Sequence, residues 1–260
     1  MASSLAAPEG AGLKLDIDGP VATITLHRPE RRNAMTPSLW RGLAAIGDDL
    51  PPEVRVVVVR GDGPSFSAGI DLRLFTPEGI PGEELTSPSD PDFEDAVASY
   101  QAGYLWLRRP EIVSIAAVHG YAIGGGFQLA LACDLRVCAD DAIFCMKEPA
   151  LGLVPDLTGT KPLVELVGLP RALEICLTAR NIDAAEASAL GLVQRVVPAA
   201  DLDAAVAALA AGLCTAAADT ARATKELLLG APGRSLAEQS AAEIAMQARL
   251  QRSRGEDSPW

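Results

Sequence analysis

Residues 119–148 read HGYAIGGGFQLALACDLRVCADDAIFCMKE. The apolar run just before them, 112–118, has the composition of a buried strand. Gly124, Gly125 and Gly126 follow, and then apolar residues at helical spacing. Strand, glycines and helix start, in that order, set bare backbone N–H groups at the positive end of a helix dipole. Glycine lets another molecule approach the backbone closely. N–H groups so placed suit an oxygen that gains negative charge. A close-packed turn without a ligand would use the same residues, so this stretch alone leaves both readings open.

Working outward toward the N-terminus, residues 13–17 and 21–26 flank Asp18-Gly19-Pro20, a hairpin signal. Thr36 and Pro37 read as an N-cap and first-turn proline, opening a helix that runs to about Asp49. The β-branched run 54–59 predicts a strand buried on both faces. A turn at 61–64 leads into Ser65-Phe66-Ser67-Ala68-Gly69-Ile70-Asp71-Leu72, where Asp71 is placed to cap or bind local backbone. Residues 76–92, rich in proline, glycine and acids, read as a loop or lid. Residues 93–107 read as a helix.

Toward the C-terminus, short strands are expected at 135–137, 143–145 and 193–197. Helices are expected at 161–167, 171–177, 184–190, 201–213, 220–229 and 236–252. Strand and helix alternate over the first two thirds, which predicts an α/β layer fold with a mostly parallel sheet. The Ala-rich helical tail has few large side chains of its own and is expected to pack on another surface, such as a neighbouring subunit.

The chain has 260 residues, enough for one large domain or two small ones. Its 34 acidic and 22 basic side chains give a formal charge of -12, which disfavours nucleic acid and anionic membranes as partners. No run of about 18 apolar residues suggests a membrane span. The first ten residues lack the basic and apolar regions of a secretory signal, and Ser258-Pro259-Trp260 is not a peroxisomal address. Five cysteines without a C-x-x-C pair read as core residues of a reducing compartment, so a cytoplasmic location is expected. With only His27 and His119, a His-rich metal site is excluded, and no metal is expected.

Two glycine-containing turns, SFSAGID and GYAIGGGF, each follow a predicted buried strand. If the strands are neighbours, both turns emerge at one end of the sheet. One backbone N–H from each could then grip a single carbonyl oxygen as it becomes an enolate. Asp134 and Arg136 read as a structural ion pair, and His119 as a packed or capping side chain. Tyr100, Tyr104 and Trp106 read as packing on one helix, and Lys225 with Glu226 as a solvated pair. Ser67 lacks the G-x-S-x-G setting and a His partner, which argues against a serine hydrolase.

In chain order, several elements resemble the crotonase superfamily of enoyl-CoA hydratases and isomerases. They are His27-Arg28-Pro29 with Asn33-Ala34, then 66–72, then Gly120-Tyr121-Ala122 with Gly124-Gly125-Gly126, then Cys133-Asp134-Leu135-Arg136, then Glu148 with Gly152-Leu153. The segment from Leu177-Thr178-Ala179-Arg180 to Gly191-Leu192-Val193 is similar too, so the likeness covers most of the chain. It implies a repeated β-β-α spiral core over residues 1–198, with the acyl-CoA site, and a C-terminal helical segment over 199–260. It implies oxyanion-hole amides at Ser67 and Gly125. It also implies a CoA thioester lying along Ser67, Ala68, Gly69 and Ile70, with the adenine near the turn from Arg28 to Ala34. Coenzyme A enters as part of the substrate, with no separate cofactor, and a homotrimer or dimer of trimers is implied.

One position departs from that pattern. Hydratases of the family use two glutamates; the second corresponds to Glu148, but the first corresponds to Gln128. A carboxamide can orient water but cannot accept a proton as a general base. Glu148 followed by Asp156 and Gly159-Thr160 is similar instead to dienoyl-CoA isomerases, whose Glu and Asp relay a proton; those carry a third acid where this chain has Gln128. The expected activity is a double-bond shift in an enoyl- or dienoyl-CoA, with Glu148 as base and acid and Asp156 as partner. A hydratase in which Gln128 holds the water, or a non-catalytic acyl-CoA binding protein, are the alternatives.

Overall fold

Residues Leu13–Asp18 (β1) and Val21–Leu26 (β2) pair antiparallel across a two-residue turn, with Asp18 opposite Val21. Gly19 sits there at φ +53°, a conformation that side chains resist. The structure, a computed structural model, describes residues 7–254. The readings made of residues 1–6 and of the terminal Ser258-Pro259-Trp260 lie outside these. Helix α1, Pro37–Asp49, begins where expected: Thr36 Oγ1 accepts the N–H of Leu39 at 3.3 Å, a cap worth about 1 kcal/mol.

The β-branched run gives strand β3, Val56–Gly61, with four successive buried valines. It starts two residues later than the sequence predicts, because Val54 N–H closes a turn onto Pro51. Strand β4, Val113–Val118, lies parallel beside it. Strands β6, Leu135–Ala139, and β9, Arg195–Val197, complete a six-stranded sheet in the order β1-β2-β3-β4-β6-β9, parallel after the first hairpin.

Two strands the sequence reading missed, β5 (Tyr121–Ile123) and β8 (Ile182–Asp183), join β7 (Ile143–Cys145) in a second sheet of order β5-β7-β8. They are three and two residues long, too short to show a period of two. The chain winds so that β4 enters the large sheet, β5 the small one, and helix α3 (Gly125–Ala132) returns. The next winding repeats this with β6 and β7, which is the expected spiral.

Helices α1 and α2 (Phe93–Leu105) pack together over one face of the large sheet, where Leu39, Leu43, Tyr104 and Phe127 are buried. Trp106 falls in a 3-10 turn after α2 rather than on it. Helices α4 (Thr160–Val167) and α5 (Leu169–Thr178) lie between β7 and β8 in the chain, and α6 (Ala184–Ala189) follows β8. On the opposite face α7, Leu202–Leu213, sets Leu202, Val206 and Ala210 against Val56, Val58, Ile115 and Val137. Both faces of β3 are therefore covered, as a run of valines requires. Helices α8 (Ala218–Gly230) and α9 (Leu236–Arg254) close the described chain.

Two expected ion pairs are corrected. Arg136 does not pair with the Asp134 carboxylate. Its buried guanidinium donates to the backbone carbonyls of Leu192, Ala130, Cys133 and Asp134, which joins α3 to the loop before β9. Lys225 is not solvated beside Glu226: its ammonium reaches Asp134 at 2.6 Å and the Ile112 carbonyl at 2.7 Å, while Glu226 takes Arg249. His119 does cap a turn, with Nε2 2.9 Å from the Gly63 carbonyl.

Candidate active site

Because β3 and β4 are parallel neighbours, the turns that follow them leave the same end of the sheet. The first turn is built on Asn33. Its fully buried carboxamide donates to the carbonyls of Asp62 and Ser65, at 2.8 Å each, and accepts the N–H of Arg28 at 2.9 Å. The Arg28 guanidinium binds Ala34 O and, at 3.1 Å, Asp71 Oδ2. Arg28 and buried Ala34, both implied as ligand contacts, are thus engaged within the chain. The Arg73 guanidinium, held at 2.7 Å, together with Arg28 keeps the Asp71 carboxyl at a pKa of about 2, below its ordinary value. Asp71 also accepts the N–H of Arg73, the cap its position predicts.

Ser67 does not supply an oxyanion donor. Its N–H is taken by the Tyr121 carbonyl at 2.8 Å, where residue 67 pairs with Ala122 of β5, and its hydroxyl donates to Asn33 O. The N–H of Ala68 goes to Arg32 O and that of Gly69 to Ser67 Oγ. Ile70 differs. It pairs with Met35 in a parallel bridge in which Gly69 O and Asp71 N make the bonds. In that pattern the bridge residue's own N–H points to the other side, and within the described residues no acceptor takes it. Gly125 N–H, at the first position of α3, is equally without a partner. Ile70 and Gly125 therefore each offer a free N–H, one from each turn. Residues 67 and 70 belong to one short segment, and only its pairing with β5 and Met35 reveals which N–H is left over.

Both residues border a cavity of about 560 Å³. Its walls are mostly apolar, with Trp40, Leu74, Phe75, Leu85, Phe93 and Tyr100 among them. Residues 85–88 belong to the predicted loop, so that loop does form part of the wall. It is tied down as well: Glu83 accepts the N–H of Ser38 at the start of α1, at 3.0 Å. Tyr104, fully buried, donates its hydroxyl to Gly125 O at 3.2 Å, a contact the sequence reading counted only as packing.

Glu148 and Asp156 both line this cavity. Glu148 is 8 % exposed and lies against Gly124; a Cβ there would stand 3.0 Å from Oε1. Gly124 has φ +49° and ψ -120°, backbone that favours glycine. Burial pushes the Glu148 carboxyl above its ordinary pKa, opposed by nearby backbone N–H groups and by Gln128. Oε2 of Glu148 is buried and, among the described residues, without a hydrogen-bond partner. Asp156 is exposed by surface area, because the open cavity wets it, yet enough protein surrounds it that desolvation raises its pKa too.

Gln128 is fully buried. Its Nε2 donates to Glu148 Oε1 at 2.6 Å, and its Oε1 accepts the N–H groups of Leu157 at 2.9 Å and Gly159 at 3.1 Å. Among the described residues, no cluster of three His, Cys, Asp or Glu side chains could hold a metal ion. The arrangement can hold a polarised carbonyl at two N–H groups and move protons through a buried carboxyl, Glu148, and a second at the cavity wall, Asp156, beside an apolar group.

The sequence profile of the enoyl-CoA hydratase/isomerase family matches residues 16–257. A Thermobifida fusca YX protein assigned as an enoyl-CoA hydratase, solved in complex with acetoacetyl-CoA, superposes with a TM-score of 0.90 at 59% identity, over 93% of this chain and 96% of that one. The Mycobacterium bovis protein assigned as enoyl-CoA hydratase echA8 is 35% identical over 85% of this chain and 82% of its own. The mitochondrial Delta(3,5)-Delta(2,4)-dienoyl-CoA isomerase of Homo sapiens is 36% identical, over 84% of this chain and 68% of its own.

Proposed function

The chain belongs to the enoyl-CoA hydratase/isomerase family, and from that premise we propose that it shifts a carbon–carbon double bond in an unsaturated acyl-CoA thioester. The observation that carries this reading is the setting of Glu148. Among the described residues its side-chain hydrogen-bond partner, 2.6 Å away, is a carboxamide rather than a second acid. Hydration with two carboxylates holding one water lacks a proton acceptor at position 128. An allylic proton transfer needs only one group that acts as base and then as acid.

In this mechanism the acyl chain fills the apolar cavity and the thioester oxygen lies between the N–H groups of Ile70 and Gly125. Glu148 removes a proton from carbon. The electron pair moves into the conjugated system and charge collects on the thioester oxygen, where the two N–H groups stabilise it. A proton is returned at another carbon, either by Glu148 itself or by an initially protonated Asp156, after which the proton held by Glu148 passes back to Asp156, and the mass of the thioester is unchanged. Burial raises the pKa of both carboxyls, which suits groups that must hold and release a proton near neutral pH. A CoA thioester as substrate is supported by the Thermobifida fusca relative, solved with acetoacetyl-CoA.

The test is a panel of 2-enoyl-, 3-enoyl- and 3,5-dienoyl-CoA thioesters, followed by mass and ultraviolet absorbance. A moved double bond at unchanged mass is the expected result. A product heavier by one water would favour the hydratase reading, which the assignments of the Thermobifida fusca and Mycobacterium bovis relatives support. Binding without any product would favour an acyl-CoA binding protein.

The resemblance also implies a trimer or a dimer of trimers. Leu169, Leu173 and Leu177 recur every fourth residue along α5 and are 58%, 49% and 73% exposed. Such a stripe offers an apolar face to a second copy. Sedimentation of the purified chain tests this, and a monomer at micromolar concentration would remove it.

A further inference from the structure

The segment that carries Asp156 into the cavity wall is held in an uncommon shape. Thr158 has φ +70°, which a β-branched residue rarely adopts. The N–H groups on either side of it, from Leu157 and Gly159, converge on Gln128 Oε1. Neighbouring N–H groups that converge in this way form a cradle for an oxygen. Gly159 is needed for the approach: a Cβ there would stand 2.6 Å from Gln128 Cγ.

That grip fixes the carboxamide. Two N–H donors can be met only by its oxygen, so its NH2 must face Glu148. Glu148 Oε1 is therefore an acceptor. In the neutral acid the carbonyl oxygen is the better acceptor for that NH2 group, which favours the proton of Glu148 on Oε2, the oxygen without a partner among the described residues.

We propose that Gln128 is a positioning residue that holds the Asp156 segment by its carbonyl oxygen and, by its NH2, restricts proton exchange at Glu148 to Oε2. The hold on the segment is independent of the proposed function, whereas the consequence for catalysis rests on it. The role differs from holding a water, because both ends of the carboxamide are already engaged.

The experiment uses the full chain with Gln128→Met, which removes both ends, and Gln128→Glu, which keeps the acceptor. Amide hydrogen exchange at Leu157 and Gly159 is read first. Protection falls by about tenfold or more in Gln128→Met and persists in Gln128→Glu. The Glu148 titration is then followed by its side-chain 13C carboxyl resonance. The groups around it, Asp156, Tyr104, Lys147, Cys145 and Cys176, are the same in each variant.

In Gln128→Met the titration moves up, since a donor to the charged form is lost. In Gln128→Glu two carboxyls share one proton, and a coupled pair of titrations replaces one. On the acyl-CoA that the wild type turns over, Gln128→Met lowers kcat by about tenfold or more with KM little changed. Unchanged exchange in Gln128→Met, or an unmoved Glu148 titration in both variants, would overturn the proposal. If Gln128→Met fails to fold, Gln128→Glu decides: a single unmoved titration or lost protection at Leu157 refutes it. If no double bond moves in the wild type, the function falls while exchange and titration still judge the role of Gln128.

Discussion

Lys225 on α8 lies 2.6 Å from Asp134, 91 residues earlier in the chain, and both side chains are largely covered, at 11% and 16% exposure. Asp134 also accepts the N–H and hydroxyl of Ser114 on β4. One carboxylate therefore ties helix α8 to the centre of the large sheet. Lys225→Met leaves that carboxylate short of its cation and costs about 2–3 kcal/mol, below the full price of a deeply buried pair because some water reaches it. Asp134→Asn added to Lys225→Met recovers part of the loss. Denaturant titration of the two variants checks both statements.

Glu148→Gln lowers turnover by about 100-fold or more on any thioester the wild type isomerises, and it also stabilises the fold. The sign follows from burial. The folded pKa of Glu148 is raised, so ionisation weakens the fold by an amount that is absent below the unfolded pKa, grows as pH rises toward the folded pKa and is constant above it. Melting temperature of Glu148→Gln exceeds that of the wild type at pH 7, and the two converge near pH 4. Equal melting at both pH values would contradict the burial argument.

Asp71 behaves in the opposite sense. Its folded pKa of about 2 lies below the ordinary 3.8, chiefly through Arg73 and then Arg28. It contributes about 2 kcal/mol that is fully present above pH 4 and lost as pH falls toward 2. Asp71→Asn costs about that much at pH 7, and the deficit shrinks on acidification. Urea unfolding at several pH values measures it.

Gly124→Ala strains a backbone conformation reserved for glycine and sets a methyl group about 3.0 Å from Glu148 Oε1. A loss of about 2 kcal/mol or more in stability is expected, with a fall in kcat larger than any change in CoA affinity. Calorimetry with free CoA and steady-state kinetics separate the two effects.

Much of this protein is legible in its sequence because the signals are local. The valines of β3, the Thr36–Pro37 helix start and the glycines before α3 each act within a few residues of themselves. Their order also carried the family likeness, and with it the expectation of an acyl-CoA site at Glu148 and Gly125. Where the reading failed, the missing information lay in a distant partner. Asp134 and Arg136 are neighbours in sequence, yet Lys225 and the Leu192 carbonyl decide their bonds.

The choice of oxyanion donor shows the same division. The glycine-containing turn SFSAGID, residues 65–71, could supply a donor, and the family resemblance implied Ser67 for it. Each N–H in that segment has the same chemistry, and sequence cannot rank them. Pairing with Tyr121 removes Ser67, the bridge to Met35 turns Ile70 the other way, and the cavity opens on the one left over. Residue type, fixed by sequence, determined which groups could donate, accept or titrate. Tertiary structure decided which of them remain unpaired, because a hydrogen bond depends on where the partner sits in space.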